Sequence, residues 1–209
     1  MNYIENIYIC LTAPLLLATP FLRRDGRRTL IFTLTGMTSC LLSSYVSSFI
    51  AGAVGIEAGA VAYEVAPAVE EIMKALPVLL FILLFEPDKR TAITGTMLVA
   101  VGFATFENVC YLIVYGSSNL LLLVIRGFGT GAMHLVCGMI VAVGLSFIWD
   151  KIWLRAVGGI ALLSFITIFH AVFNILVGQE GIVFWISTAI PMVIVIVFLI
   201  LLRKRIAEP

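Results

Sequence analysis

Seven apolar stretches dominate this chain, at about residues 4–22, 30–50, 61–85, 91–115, 120–149, 152–177 and 182–202. Each approaches the roughly 20 residues that a helix needs to cross a bilayer. In lipid the backbone amides must be satisfied within the segment or in a closed barrel, so runs of this length fold as helices. Of the 209 residues, 62% are hydrophobic and 12% charged, which excludes an ordinary soluble domain. The expectation is an all-α, polytopic membrane helical bundle of about seven transmembrane helices with short connections. There is no basic domain or aromatic-basic face, so no nucleic-acid partner is expected. Cys10, Cys40, Cys110 and Cys137 lie far apart in apolar runs and read as packing residues. The first run lacks a basic leader and a small-residue cleavage site, and is expected to remain as an anchor.

Lys and Arg set the orientation. Arg23, Arg24, Arg27, Arg28, Lys89, Arg90, Lys151, Arg155, Arg203, Lys204 and Arg205 make eleven of the 13 basic residues, all on one side of the expected bundle. The other connections (1–3, 51–60, 116–119 and 178–181) carry none. Positive charge stays cytoplasmic, which places the N-terminus outside and the C-terminus in the cytoplasm. Only Lys74 and Arg126 fall within spans. Gly127, Gly129, Gly131, Gly138 and Gly144 on the fifth run are expected to mark close helix packing, as are Ser43, Ser44, Ser47 and Ser48 on the second.

The third run holds Glu70, Glu71 and Lys74. A charge at the centre of a spanning helix costs roughly 2.5–3.5 kcal/mol on insertion scales, so such groups must face protein or water and find partners. Glu107 on the fourth run, Arg126 and His134 on the fifth and His170 on the sixth are the candidates, with the amides Asn108 and Asn174. At 1.5 Å per residue, Glu107 lies about 12 Å from the outer end of its helix, His170 about 11 Å and His134 about 21 Å. Glu70 and Glu71 lie about 15 Å down if the third helix starts at Val61. They sit in its first turn if it starts at Pro67. The groups therefore converge between the outer half and the middle of the bilayer, which points to one site opening outward.

Adjacent Glu70 and Glu71 diverge by about 100° around a helix and cannot both address one atom. Lys74 can pair with either, at i+4 or i+3. One glutamate is expected to face a reacting centre while the other is held by Lys74 or Arg126. His170 and Asn174 share a face at i and i+4 and can address one ligand. An i,i+4 Glu–Lys pair is commonly structural, and Arg126 could snorkel to the rim. The joint occurrence at matching depth is what favours a site.

Glu70-Glu71-x-x-Lys74, Phe103-Ala-Thr-Phe-Glu107-Asn108 followed by Tyr111, Arg126 with His134 and Gly138, and His170-x-x-x-Asn174 occur in that order on successive runs. This arrangement, over roughly residues 61–178, resembles the PrsW family of intramembrane proteases. That family is grouped with CAAX prenyl endopeptidases and bacteriocin-processing enzymes. The resemblance implies peptide-bond hydrolysis in the membrane. By analogy with the CAAX branch, Glu70 is the base that activates water, Glu71 supports it, and His170 with Asn174 stabilises the oxyanion. Two departures from the CAAX pattern, Lys74 one position early and Glu107 in place of a histidine, fit the PrsW branch. They leave Glu107 and His134 as alternatives for sharing the water with Glu70.

The catalytic candidates are thus Glu70, Glu71, Glu107, His134, His170 and Asn174, supported by Lys74, Asn108 and Arg126. Glutamates and histidines also suit zinc, for which Glu70, Glu107, His134 and His170 are the candidates. No HExxH helix signature is present, and a metal-free glutamate centre is favoured with zinc as the alternative. The resemblance further implies a single-span or membrane-anchored protein substrate, of the anti-sigma-factor kind, and a prokaryotic inner membrane. A small proton-coupled transporter could also use buried Glu, His and Arg. Against it, the chain has no similar halves and no matched pair of broken helices, although Pro67 and Pro77 interrupt the third run. The expected organisation is one membrane domain over 1–209. Residues 1–60 form two accessory helices, 61–178 a four-helix catalytic core, and 179–209 a C-terminal helix and basic tail.

Overall fold

The computed structural model of the chain describes residues 4–115 and 120–207. The connections expected at 1–3 and 116–119, and positions 208–209 of the basic tail, lie outside the described residues. The described residues form α1 (Ile4–Ala18), a 3-10 turn (Thr19–Phe21), α2 (Arg24–Val54), α3 (Val61–Glu64), α4 (Ala66–Phe85), α5 (Lys89–Tyr115), α6 (Leu120–Ile148), α7 (Ile152–Val177) and α8 (Ile182–Ala207). The polytopic helical bundle is borne out. Among the described residues, six helices are long and apolar enough to cross a membrane: α1 with its 3-10 turn, α2, α5, α6, α7 and α8. The 20 residues of α4 reach about 30 Å, but they carry the three charges Glu70, Glu71 and Lys74.

Two expected boundaries change. The run 61–85 is not one span: α3 ends at Glu64, and α4 begins after Val65, with Pro67 in its first turn. Proline lacks the N–H of an ongoing helix and is favoured in the first turn, where that donor has no partner, which is where Pro67 stands as α4 begins. Glu70 and Glu71 consequently occupy the second turn of α4. At the other end, α2 starts at Arg24 and draws Arg24, Arg27 and Arg28 into its first turns.

α5 and α6 form the central antiparallel pair. α2 covers α5, α7 and α8 cover α6, and α4 packs against α2, α5 and α7. α1 rests on α2, through Tyr8 and Thr38 at 2.5 Å and through a Tyr45–Glu5 hydrogen bond. One apolar core joins Leu34, Met37 and Cys40 of α2 to Phe103 and Phe106 of α5. A second joins Met133 and Cys137 of α6 to Ile166 and Phe173 of α7. Leu79 and Leu83 on α4, Ile160 and Ile168 on α7 and Ile196 on α8 are exposed, as a lipid solvent permits. At the start of α5, Asp88 accepts hydrogen bonds from the Thr91 amide and hydroxyl at 2.9 and 2.6 Å. The hydroxyl, then the amide, hold the Asp88 carboxyl below the ordinary aspartate range. This cap adds stability above the unfolded pKa and loses it as pH falls through the folded one.

The closest backbone approach is between α2 and α5. A Cβ on Gly36 would run into the Val99 carbonyl, and one on Gly102 into the Thr33 carbonyl. Gly129, Gly138 and Gly144 also face close neighbours, Thr188, Ala100 and Leu162 respectively. Gly127 and Gly131 do not: a Cβ there meets nothing within 4 Å, which corrects the expectation for those two. Ser43 and Ser47 are buried, whereas Ser44 and Ser48 turn outward and bond their own helix. Gly102→Leu is expected to lose about 1–3 kcal/mol of unfolding free energy in micelles through overpacking. Gly127→Leu, the matched control, should stay near wild type.

Candidate active site

The polar side chains of α4 to α7 meet inside the bundle, nearer the end without basic connections. Glu71 is the sixth residue of α4, only about 8 Å along its axis. Its side chain is 2% exposed. Lys74, one turn on, donates to Glu71 Oε1 at 2.7 Å. The choice of Glu71 over Glu70 follows from the i,i+3 geometry of α4 and the burial of both partners. Lys74 Nζ also lies 3.0 Å from Nδ1 of His134, whose side chain is fully buried on α6. An ammonium only donates, so His134 Nδ1 accepts and its proton resides on Nε2. That Nε2–H points at Glu107 Oε2 on α5, 2.5 Å away. The other Glu107 oxygen accepts from Arg126 Nη2 at 3.0 Å. Arg126 therefore does not snorkel to the rim: it pairs with Glu107 and stacks its guanidinium 3.8 Å over the Tyr111 ring.

On the other flank, His170 of α7 places Nδ1 2.8 Å from Glu71 Oε1. Glu71 thus accepts from both Lys74 and His170. The lone pair of His170 is left on Nε2, which lies 3.7 Å from Glu70 Oε2. That separation exceeds a direct hydrogen bond, and a water set to one side of the line joining the two atoms reaches both. Glu70 Oε2 is itself buried without a hydrogen-bond partner, although the side chain as a whole is 16% exposed. The two imidazole rings meet edge to face at 5.0 Å. Lys74 sits 4.8 Å over the face of Phe103, which closes the core behind it.

The structure brings together Glu70, Glu71, Lys74, Glu107, Arg126, His134 and His170. It does not bring Asn174 into this network: its Nδ2 donates to the Ala62 carbonyl of α3 at 2.8 Å, tying α7 to α3. Asn108 is half-buried beside Glu107 and takes no part in the contacts above. Of the groups near Glu70, Glu107 and His134 are bonded to each other, and the free lone pair opposite Glu70 belongs to His170. The tie between Asn174 and Ala62 has no sequence signal, because a backbone carbonyl on a four-residue helix leaves no mark in composition.

One carboxylate and two imidazoles are a zinc-type donor set. Glu70, His134 and His170 can each bring one ligand atom within 4.8 Å of the others. The group fits a metal ion in donor type and spacing. To join it, His134 must exchange its bond to Lys74 or its bond to Glu107.

The profile of one family, described as PrsW family intramembrane metalloprotease, matches residues 27–202 of the chain. The match covers α2 to α8 nearly completely, and it offers no support for a proton-coupled carrier. No curated protein and no solved structure matches.

Proposed function

The chain belongs to the PrsW family of intramembrane metalloproteases, and from that premise we propose that its polar core cleaves membrane-anchored proteins with water activated by Glu70. The observation that carries this reading is the buried, unpartnered Glu70 Oε2 facing the lone-pair nitrogen of His170 across 3.7 Å. A water held beside the pair, within reach of both atoms, loses a proton to Glu70, and its oxygen attacks the scissile carbonyl. The proton moves on to His170 Nε2 and then to the leaving amine as the C–N bond breaks. Glu71 keeps the His170 ring oriented and stabilises its charged form, as the aspartate of a Ser-His-Asp triad does for its histidine. While charged, His170 donates from Nε2 to the oxyanion, and Asn174 joins it once its amide leaves Ala62. Lys74, His134, Glu107 and Arg126 fix the framework and balance its charge. Zinc held by Glu70, His134 and His170 would supply a Lewis acid and a more acidic bound water.

In this proposal the basic end is cytoplasmic, the site opens to the outer face, and the substrates are single-span proteins of the anti-sigma-factor kind in a prokaryotic inner membrane. The purified chain in nanodiscs, given a panel of single-span proteins, should cut at least one of them and keep cutting in excess chelator. Inhibition by chelator that zinc reverses would overturn the metal-free mechanism and leave the peptidase standing. Failure to cut any member of the panel counts against the peptidase itself.

A further inference from the structure

Beside Glu71 and Lys74, α4, α5, α6 and α7 surround a cavity of about 420 Å³ that Glu70 does not line. That is the size class of a small-ligand pocket, about 300–1,000 Å³. Val78 and Ile82 of α4, Val141 of α6 and Gly159 and Leu163 of α7 line its walls. Leu79 and Ile160 line it and are also exposed, so its mouth opens sideways to the bilayer. Its two ends are polar: Glu71 and Lys74 close the inner one, and Arg155 stands at the other. Arg155 Nε is buried without a hydrogen-bond partner, while its guanidinium carbon lies 5.2 Å from the Trp149 ring.

Three features decide what this space takes. From Arg155 to Ile166, both of which line it, α7 rises about 16 Å. One leaflet's share of the hydrocarbon core is about 15 Å. The walls between the ends are apolar but for Thr96 of α5, whose hydroxyl is bonded to the Ala92 carbonyl of its own helix. The charged end belongs to the basic side of the bundle, shared with Lys151, Lys89 and Arg90, where anionic headgroups are recognised. We infer that the groove holds one phospholipid with an anionic headgroup, its phosphate on Arg155 and one acyl chain reaching to the Glu71–Lys74 pair. The chain then fills the space beneath that pair and keeps water from it. The inference does not rest on the peptidase reading, because its test measures bound lipid.

The full chain is reconstituted in vesicles of equimolar phosphatidylglycerol and phosphatidylcholine, extracted in mild detergent, and weighed by native mass spectrometry. Wild type should retain one phosphatidylglycerol in preference to phosphatidylcholine. Arg155→Gln should lose about tenfold of that preference, the equivalent of one charge-assisted hydrogen bond. At Gly159 a Cβ meets open space, so Gly159→Trp should enter the groove and displace lipid of either kind. Val141→Phe fills it from α6 if the tryptophan variant does not fold. Wild type without bound phosphatidylglycerol, equal retention of both lipids, or filled variants that keep their lipid would each overturn the inference. So would a Gly159→Trp block of proteolysis in a chain that carries no lipid, which would assign the groove to substrate.

Discussion

Glu70→Gln is expected to slow cleavage by about 10²–10⁴-fold, the range over which a positioned general base contributes, and to leave the protein no less stable. Both halves follow from one observation. Glu70 Oε2 is buried opposite His170 Nε2 with no hydrogen-bond partner. An ionised carboxylate held that way is a cost to the fold. Glutamine keeps the shape and removes the charge, so its melting temperature in micelles should equal or exceed that of wild type. A base whose removal stabilises the protein is the pattern of a residue kept for chemistry. A time course on the cleaved substrate, read beside the melting curve, checks the pair. Wild-type cleavage by the glutamine variant would remove Glu70 from the mechanism, and loss of fold would show that the residue is structural.

Lys74→Met should give the largest loss of stability, about 3–5 kcal/mol, because it strands a buried carboxylate. Glu71 accepts from Lys74 at 2.7 Å and from His170 at 2.8 Å. With the ammonium gone, the His170 imidazole and the Cys137 thiol face it in place of a cation, and Nδ1 of His134 loses its donor as well. Glu71→Gln alone strands the ammonium instead. The double variant Glu71→Gln, Lys74→Met strands neither and should recover a large part of the combined loss. Unfolding free energies of the four proteins in micelles give the coupling directly. Additive single effects would mean that the two side chains do not act as a pair.

The features that could be read from the chain are those with long-range order. Seven apolar runs with charges at matched depth were sufficient to place the polar residues of α4 to α7 in one interior, because lipid forbids them any other. The adjacency of Glu70 and Glu71 told only that the two diverge. Which one Lys74 takes depends on which face of α4 is buried against its neighbours, and hydropathy, unbroken across Val65 where the helix restarts, does not mark that face. Glycines had the same ambiguity. Gly127 and Gly131 sit in the richest small-residue stretch and face open space, whereas Gly36 and Gly102, in runs with no such stretch, carry the tightest backbone contact. Nothing local separates the two cases, since a close approach is a property of the facing helix. Asn174 lies one turn on from His170, yet its amide found a carbonyl on α3 that the sequence reading had merged with α4.

The row of side chains from Arg126 to His170 has a consequence for where hydrogen ions can travel. A Grotthuss wire needs each link to give on one side and take on the other. Here Glu107 takes from Arg126 and His134, Lys74 gives to His134 and Glu71, and Glu71 takes again from His170. The polarity reverses at every charged station, and the ammonium has no lone pair to receive anything. The row is therefore an insulator: in the proposed mechanism, a proton taken from water by Glu70 stays beside it, confined to the chamber with His170.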